Sequence, residues 1–160
     1  ARRAYLSAAP ALRGREATAA LSLATLLGRV SPEAARAVGS ALTLQDRGDP
    51  GGAVDRLAGA TNGVRPEDRA PLLSVAAAMA ADAGLPADAR RLRSRIVADH
   101  PRSSDAPAAL LALGRELAAD PATRPEAREL IERLILEYPR SALVPQARRV
   151  LERLDRSGTR

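Results

Sequence analysis

Residues 87–115, ADARRLRSRIVADHPRSSDAPAALLALGR, are answered 38 positions later by residues 125–153, PEARELIERLILEYPRSALVPQARRVLER. Ala89, Arg90, Leu92, Arg95, Pro101, Arg102, Ser103, Pro107, Leu113 and Arg115 recur as Ala127, Arg128, Leu130, Arg133, Pro139, Arg140, Ser141, Pro145, Leu151 and Arg153. So many identities at one fixed offset mark an internal repeat.

Each copy predicts a helix, a proline-marked break and a second helix. Apolar residues recur at three- and four-residue spacing on both sides of Pro-Arg-Ser, with Leu92, Ile96 and Val97 in one stripe and Leu130, Leu134 and Ile135 in the other. Proline cannot continue the hydrogen-bond ladder and pushes its predecessor out of the α region, so helix ends are expected near His100 and Tyr138. Neither helix pair can bury its stripe alone, which predicts stacking.

The same signals extend toward the N-terminus. Ser31-Pro32-Glu33 combines a side-chain cap, a first-turn proline and a first-turn acid. Gly48 followed by Asp49-Pro50, and Gly84 followed by Pro86, read as helix stops with immediate restarts, while Asn62-Gly63 closes a helix before Pro66-Glu67 opens the next. Alanines recur at Ala19, Ala53, Ala89 and Ala127, at steps of 34, 36 and 38 residues. The expectation is one domain over 1–160, with units near 1–30, 31–64, 65–101 and 102–139 and a cap near 140–156.

At this point the sequence resembles the tetratricopeptide repeat. That family carries a Leu-Gly pair in the first helix, an Ala opening the second, a large apolar residue four positions on, and a closing Pro; Leu113-Gly114, Ala127, Ile131 and Pro139 stand in that order. The ending Tyr-Pro-x-Ser with a further Pro is similar to repeats in bacterial cell-envelope proteins such as outer-membrane assembly lipoproteins and the Tol-Pal coordination protein. The resemblance implies an all-α fold, a right-handed α-solenoid of antiparallel helix pairs with a C-terminal capping helix. It also implies a non-enzymatic scaffold or extrinsic subunit of a cell-envelope or membrane-bound complex, located in the periplasm or envelope, with the cytoplasm as the alternative. In such arrays the first helix of each pair lines the binding groove. Positions two before and two after the Leu select Leu111 and Arg115, then Arg149 and Arg153 in the cap, an arginine-bearing groove suited to an acidic helix or extended segment. The family's peptide-carboxylate clamp is not matched, so a bound C-terminal tail is not implied.

Composition bounds the alternatives. There is no Phe or Trp and only two Tyr, so Ala and Leu must fill the spaces between helices by close backbone approach, with little burial per residue. The formal charge is +6, and the isoelectric point near 11.2 raises nucleic acid or an anionic surface as a partner. All 25 basic residues are Arg, however, the pattern of a GC-rich coding sequence rather than of selection for phosphate. Without aromatic stacking platforms or a basic recognition helix, no specific nucleic acid is expected. Peripheral association with anionic headgroups through Arg2, Arg3, Arg13 and Arg15 is a third reading. Segments without charge, such as 17–28 and 70–81, fall short of the roughly 20 residues of a membrane span. An opening at Ala1 rather than Met fits a processed export signal or a trimmed chain.

Nothing in the sequence calls for catalysis or a cofactor. No Cys is present, and no zinc-protease, nucleophile-elbow or phosphate-loop pattern occurs. The lone His100 stands where Tyr138 stands in the later copy and reads as a helix-end residue. Charge is segregated: 116–137 holds six carboxylates against three arginines, and 140–160 holds six arginines against Glu152 and Asp155. On helices such charges pair at i, i+4, as Glu129 with Arg133 would, and ion pairs to Glu116 and Glu152 are the plain alternative to a partner surface.

Overall fold

The computed structural model describes residue 21 and residues 23–158. Ala19 and the N-terminal arginines Arg2, Arg3, Arg13 and Arg15 lie outside the described residues, as does most of the first predicted unit. Among the described residues the fold is all-α. Helical turns at 23–27 precede α1 (Pro32–Asp46), α2 (Pro50–Ala60) and α3 (Pro66–Asp82); then follow α4 (Pro86–Asp99), α5 (Ala106–Leu117), α6 (Arg124–Glu137) and α7 (Val144–Gly158). The chain forms two compact units, Ala1–Leu85 and Pro86–Arg160. The boundary falls inside the stretch 65–101 that the sequence marks as the third helix pair.

In the first unit the punctuation residues work as their chemistry dictates. Ser31 caps α1, its Oγ accepting from the Ala34 N–H at 3.3 Å, with Pro32 in the first turn. Gly48 ends α1 in the left-handed region at φ 82°, where a side chain would be strained; its N–H reaches Gln45 O and that of Asp49 reaches Leu44 O. Gly84 ends α3 in the same way at φ 72°, with Leu85 N bonding Ala80 O at 2.8 Å. Two residues beyond each glycine stands the proline that opens the next helix. Asn62-Gly63 forms a short 3-10 turn, Thr61–Gly63, after α2 has already ended at Ala60.

The core of this unit is made of small residues. Ala34, Ala37, Val38 and Ala41 of α1 and Ala53, Val54 and Leu57 of α2 are buried, and α2 packs on both α1 and α3. Helix α3 is buried round much of its circumference, through Ala70, Leu72, Leu73, Ala76, Ala77, Met79 and Ala80. One charged residue joins them. Asp68, only 2 % exposed, accepts from the Ser31 N–H at 3.2 Å and from Arg65 Nε at 3.1 Å, so the start of α3 holds the start of α1.

The second unit contains the repeat, and its two turns are built alike. His100 N bonds Ile96 O, Ser103 N bonds His100 O at 3.0 Å, and Ala106 N bonds Ser103 O. At the equivalent places Tyr138 N bonds Leu134 O, Ser141 N bonds Tyr138 O at 2.9 Å, and Val144 N bonds Ser141 O. Each Pro-Arg pair occupies the middle of a four-residue turn that suits Pro at its second position. These turns take up 103–105 and, with the Leu143 N–H bonded to Ser141 Oγ, 142–143. Consequently α5 and α7 begin only at Ala106 and Val144.

Helices α4 and α6 both pack on α5, and α7 packs on α6. Ala89 and Ala127 are buried, as is Ala53, so the three opening alanines among the described residues all serve the core. The apolar stripe of α6 is rotated from expectation. Ala127, Ile131 and Leu134 form its buried seam, while Leu130 and Ile135 are half-buried at its edges. In α4 the counterpart of Leu130, Leu92, is fully buried beside Ala89, Ile96 and Val97, and Arg93, at the position of Ile131, is only 20 % exposed in its side chain and lies 3.7 Å from Glu116. Gly114 explains the difference. A Cβ built there would lie 2.6 Å from Cδ1 and Cγ1 of Ile131 and 3.4 Å from the Ala127 carbonyl oxygen, so the two helices meet with nothing between them.

Two stability tests follow. Replacing Ala89 or Ala127 by Leu should overpack the helix contact and lower unfolding free energy by about 1–3 kcal/mol in urea titration; unchanged midpoints would place both outside the core. Burial alone would raise the Asp68 pKa, but hydrogen bonds from the Ser31 hydroxyl, Arg65 and the Ser31 amide outweigh it, and the carboxyl titrates below its ordinary 3.8. Its stabilising contribution is therefore present above that value and lost as pH falls through the lower folded one. Asp68→Asn should cost about 1–3 kcal/mol at neutral pH and much less in strong acid. A loss equal at both pH values would contradict this.

Candidate functional site

Three of the four groove residues selected from the sequence share one face of the second unit. On α7, Gln146, Arg149 and Arg153 follow at spacings of three and four, which places them in one stripe on the helix surface. Arg115, in the last turn of α5, donates from Nη2 to Gln146 Oε1 at 2.9 Å, which brings it to the head of that stripe. All three arginines are exposed. Leu111 is not part of the surface: at 4 % exposure it belongs to the interior, because α5 is buried round most of its circumference, from Ala106 and Pro107 through Leu110, Leu113 and Leu117. The face therefore presents the three arginines, with Leu111 in the interior and not beside them.

The ion pairs are arranged differently from the sequence expectation. Glu116 is taken by Arg90 of α4, at 2.8 Å, and by Arg93, rather than by the groove arginines. Arg133 turns to Glu137, with Nε 3.0 Å from both carboxylate oxygens, rather than to Glu129. Asp155 of α7 accepts from Arg128 of α6, and that bond is the first cause of an Arg128 pKa raised above its ordinary value. The Tyr138 hydroxyl donates to the Pro101 carbonyl, tying the end of α6 to the turn after α4. Burial, more than the neighbouring Glu137, pushes the Tyr138 phenol upward. The tyrosine of the Tyr-Pro-x-Ser ending thus joins one turn of the repeat to the other.

A cleft of about 290 Å³ that the sequence reading missed lies on other helices. Its floor is made by Leu113 and Leu117 of α5 with Val97 of α4, core residues that keep 4, 7 and 8 % of their surface, and the half-buried Leu130 of α6 lines it as well. Arg90, Ser94 and Ala98 stand along the α4 side, Glu126 and Arg133 along the α6 side, and Thr123 closes one end. The available signal was Leu130: an apolar stripe that carries one more leucine than its seam can bury leaves that side chain at an edge.

His100 is half-buried, at the end of α4. Among the described residues no group of three His, Asp or Glu could hold a metal ion, and no helix is long and apolar enough to cross a membrane. Compared with known proteins, the chain matches no protein-family model, no curated protein and no solved structure.

Proposed function

We propose that the chain is a helical-repeat protein of tetratricopeptide type, whose antiparallel helix pairs form a right-handed α-solenoid capped by α7, and that it binds another protein. The observation that carries this reading is the contact of Gly114 with Ile131 and Ala127, 2.6 and 3.4 Å from a built Cβ. In the repeat the Leu-Gly pair, the opening Ala and the large apolar residue exist to make that contact, and here three of the residues that match the pattern meet in space. The two turns with matching hydrogen bonds support the same reading.

On this reading α5 and α7 are first helices, and their exposed arginines face the groove. A partner segment rich in Asp and Glu, helical or extended, would meet Arg115, Arg149 and Arg153 through charge-assisted contacts, some of them bidentate. The role is that of a non-enzymatic scaffold or extrinsic subunit of a cell-envelope or membrane-bound assembly. Charge segregation along the second unit would steer the encounter and fix its orientation.

Converting Arg115, Arg149 and Arg153 together to Ser tests the proposal. These side chains are exposed, so thermal unfolding should change little. Retention of the partner that copurifies from the native host should fall at least about 30-fold, as expected where hot-spot truncations of 2 kcal/mol or more are combined. Undiminished retention by the folded variant would remove the arginine face from the account. Binding to duplex DNA should be weak and should fall steeply with salt; a salt-resistant, sequence-selective complex would favour a nucleic-acid partner instead.

A further inference from the structure

The cleft over α5 belongs to different side chains from the arginine face and admits a different ligand. Helices α4 and α6 each pack on α5 and leave a gap between themselves, floored by Leu113 and Leu117, residues one turn apart. Side chains bordering the gap also repeat about once per turn: Arg90, Ser94 and Ala98 on α4, Glu126, Leu130 and Arg133 on α6. The trough is thus apolar below, polar at its rim and periodic along its length.

The walls decide which backbone can lie there. Both are helices whose amides and carbonyls are used within the helix, so an extended segment would find side chains only and no strand edge with which to pair. A helix satisfies its own backbone and presents apolar side chains at i and i+4, about 6 Å apart at 1.5 Å per residue, which matches the spacing of Leu113 and Leu117.

The rim then orients the occupant. Glu126 lies in the first turn of α6 and Arg133 two turns later, with Leu130 between them. Arg133 uses Nε for Glu137, and a guanidinium carries four further N–H donors. Helices favour acids in their first turn and bases in their last. An acid near the start of an incoming helix would meet Arg133, and a base near its end would meet Glu126, only if it runs opposite to α6.

We propose that the trough between α4 and α6 is a docking site for an amphipathic helix of a partner protein, which inserts two apolar side chains one turn apart and runs antiparallel to α6. This goes beyond the arginine face and stands without it. It makes the second unit a two-sided adaptor, one face reading acidic charge and the other an apolar helix with a defined direction.

The test places a photo-crosslinking benzoylphenylalanine at Ser94 or Ala98, both exposed on the rim, in the full chain expressed in its native host. After irradiation the joined peptide is sequenced by mass spectrometry. The expected result is one partner segment with apolar residues four apart, an acid on its N-terminal side and a base on its C-terminal side. Its yield should fall at least tenfold with Glu126→Arg combined with Arg133→Glu, a swap that preserves net charge. Leu130→Glu should do the same, with circular dichroism checking the fold of both variants. The Arg115, Arg149 and Arg153 triple variant should cross-link as the parent does, which separates failure of this site from failure of the arginine face. Scattered products, a segment without the helical pattern, a second copy of this chain, no product at all, or a yield that survives the charge swap would each overturn the proposal.

Discussion

Gly114 is the position at which the second unit has no room. Its missing side chain lets α5 approach α6 until Ile131 fills the space a Cβ would need and the Ala127 carbonyl stands 3.4 Å away. Ile131, Ala127 and Leu134 are then fully buried without any aromatic residue to cover them. A chain that lacks Phe and Trp cannot span wide interhelical gaps, so its helices must come close, and small residues at the points of contact are the means. Ala53, Ala89 and Ala127 repeat the device on α2, α4 and α6.

The polar links between helices do a different job. Arg90 with Glu116, Arg115 with Gln146 and Arg128 with Asp155 each join two helices of the second unit, and each sets an exposed side chain against a half-buried one at the surface. Exposed pairs contribute roughly 0–1 kcal/mol, too little to account for the fold. They do set which arginines remain on the surface. Glu116 is held by Arg90 and Arg93, while Arg115, its neighbour on a different face of α5, turns to Gln146 of α7 and joins the arginine stripe. Asp68 is the exception in this class: buried, it holds two helix starts together and belongs to the stability of the first unit.

Much of the architecture was legible in the sequence. Proline and glycine have strong local effects that do not depend on the rest of the fold, so the helix limits at Pro32, Gly48, Pro50, Gly84 and Pro86 could be placed almost to the residue. The repeat exposed the two similar turns. Contacts between helices were harder to read. Leu111 carries the right spacing for a groove but is buried, because spacing gives the direction of a side chain and not what covers it. Asp68 reads as an ordinary first-turn acid, and only the folded chain brings Ser31 and Arg65 to it. The trough over α5 arises from a gap between two helices far apart in sequence. Of its parts, Leu130 alone left a trace, as an apolar residue beyond what the α6 seam accommodates.

The close approach at Gly114 is tested most directly by a double-mutant cycle with Gly114→Ala and Ile131→Val, followed by chemical denaturation. Alanine is the better helix former by roughly 1 kcal/mol, so without a steric conflict Gly114→Ala would stabilise α5. The close packing against Ile131 should instead make it destabilise the parent by about 1–3 kcal/mol. In the Ile131→Val background, where Cδ1 is gone and only the carbon at Cγ1 still crowds the new Cβ, the same change should cost less by at least about 0.5 kcal/mol, the coupling expected of residues in direct contact. Additive effects, or a Gly114→Ala variant more stable than the parent, would contradict the account.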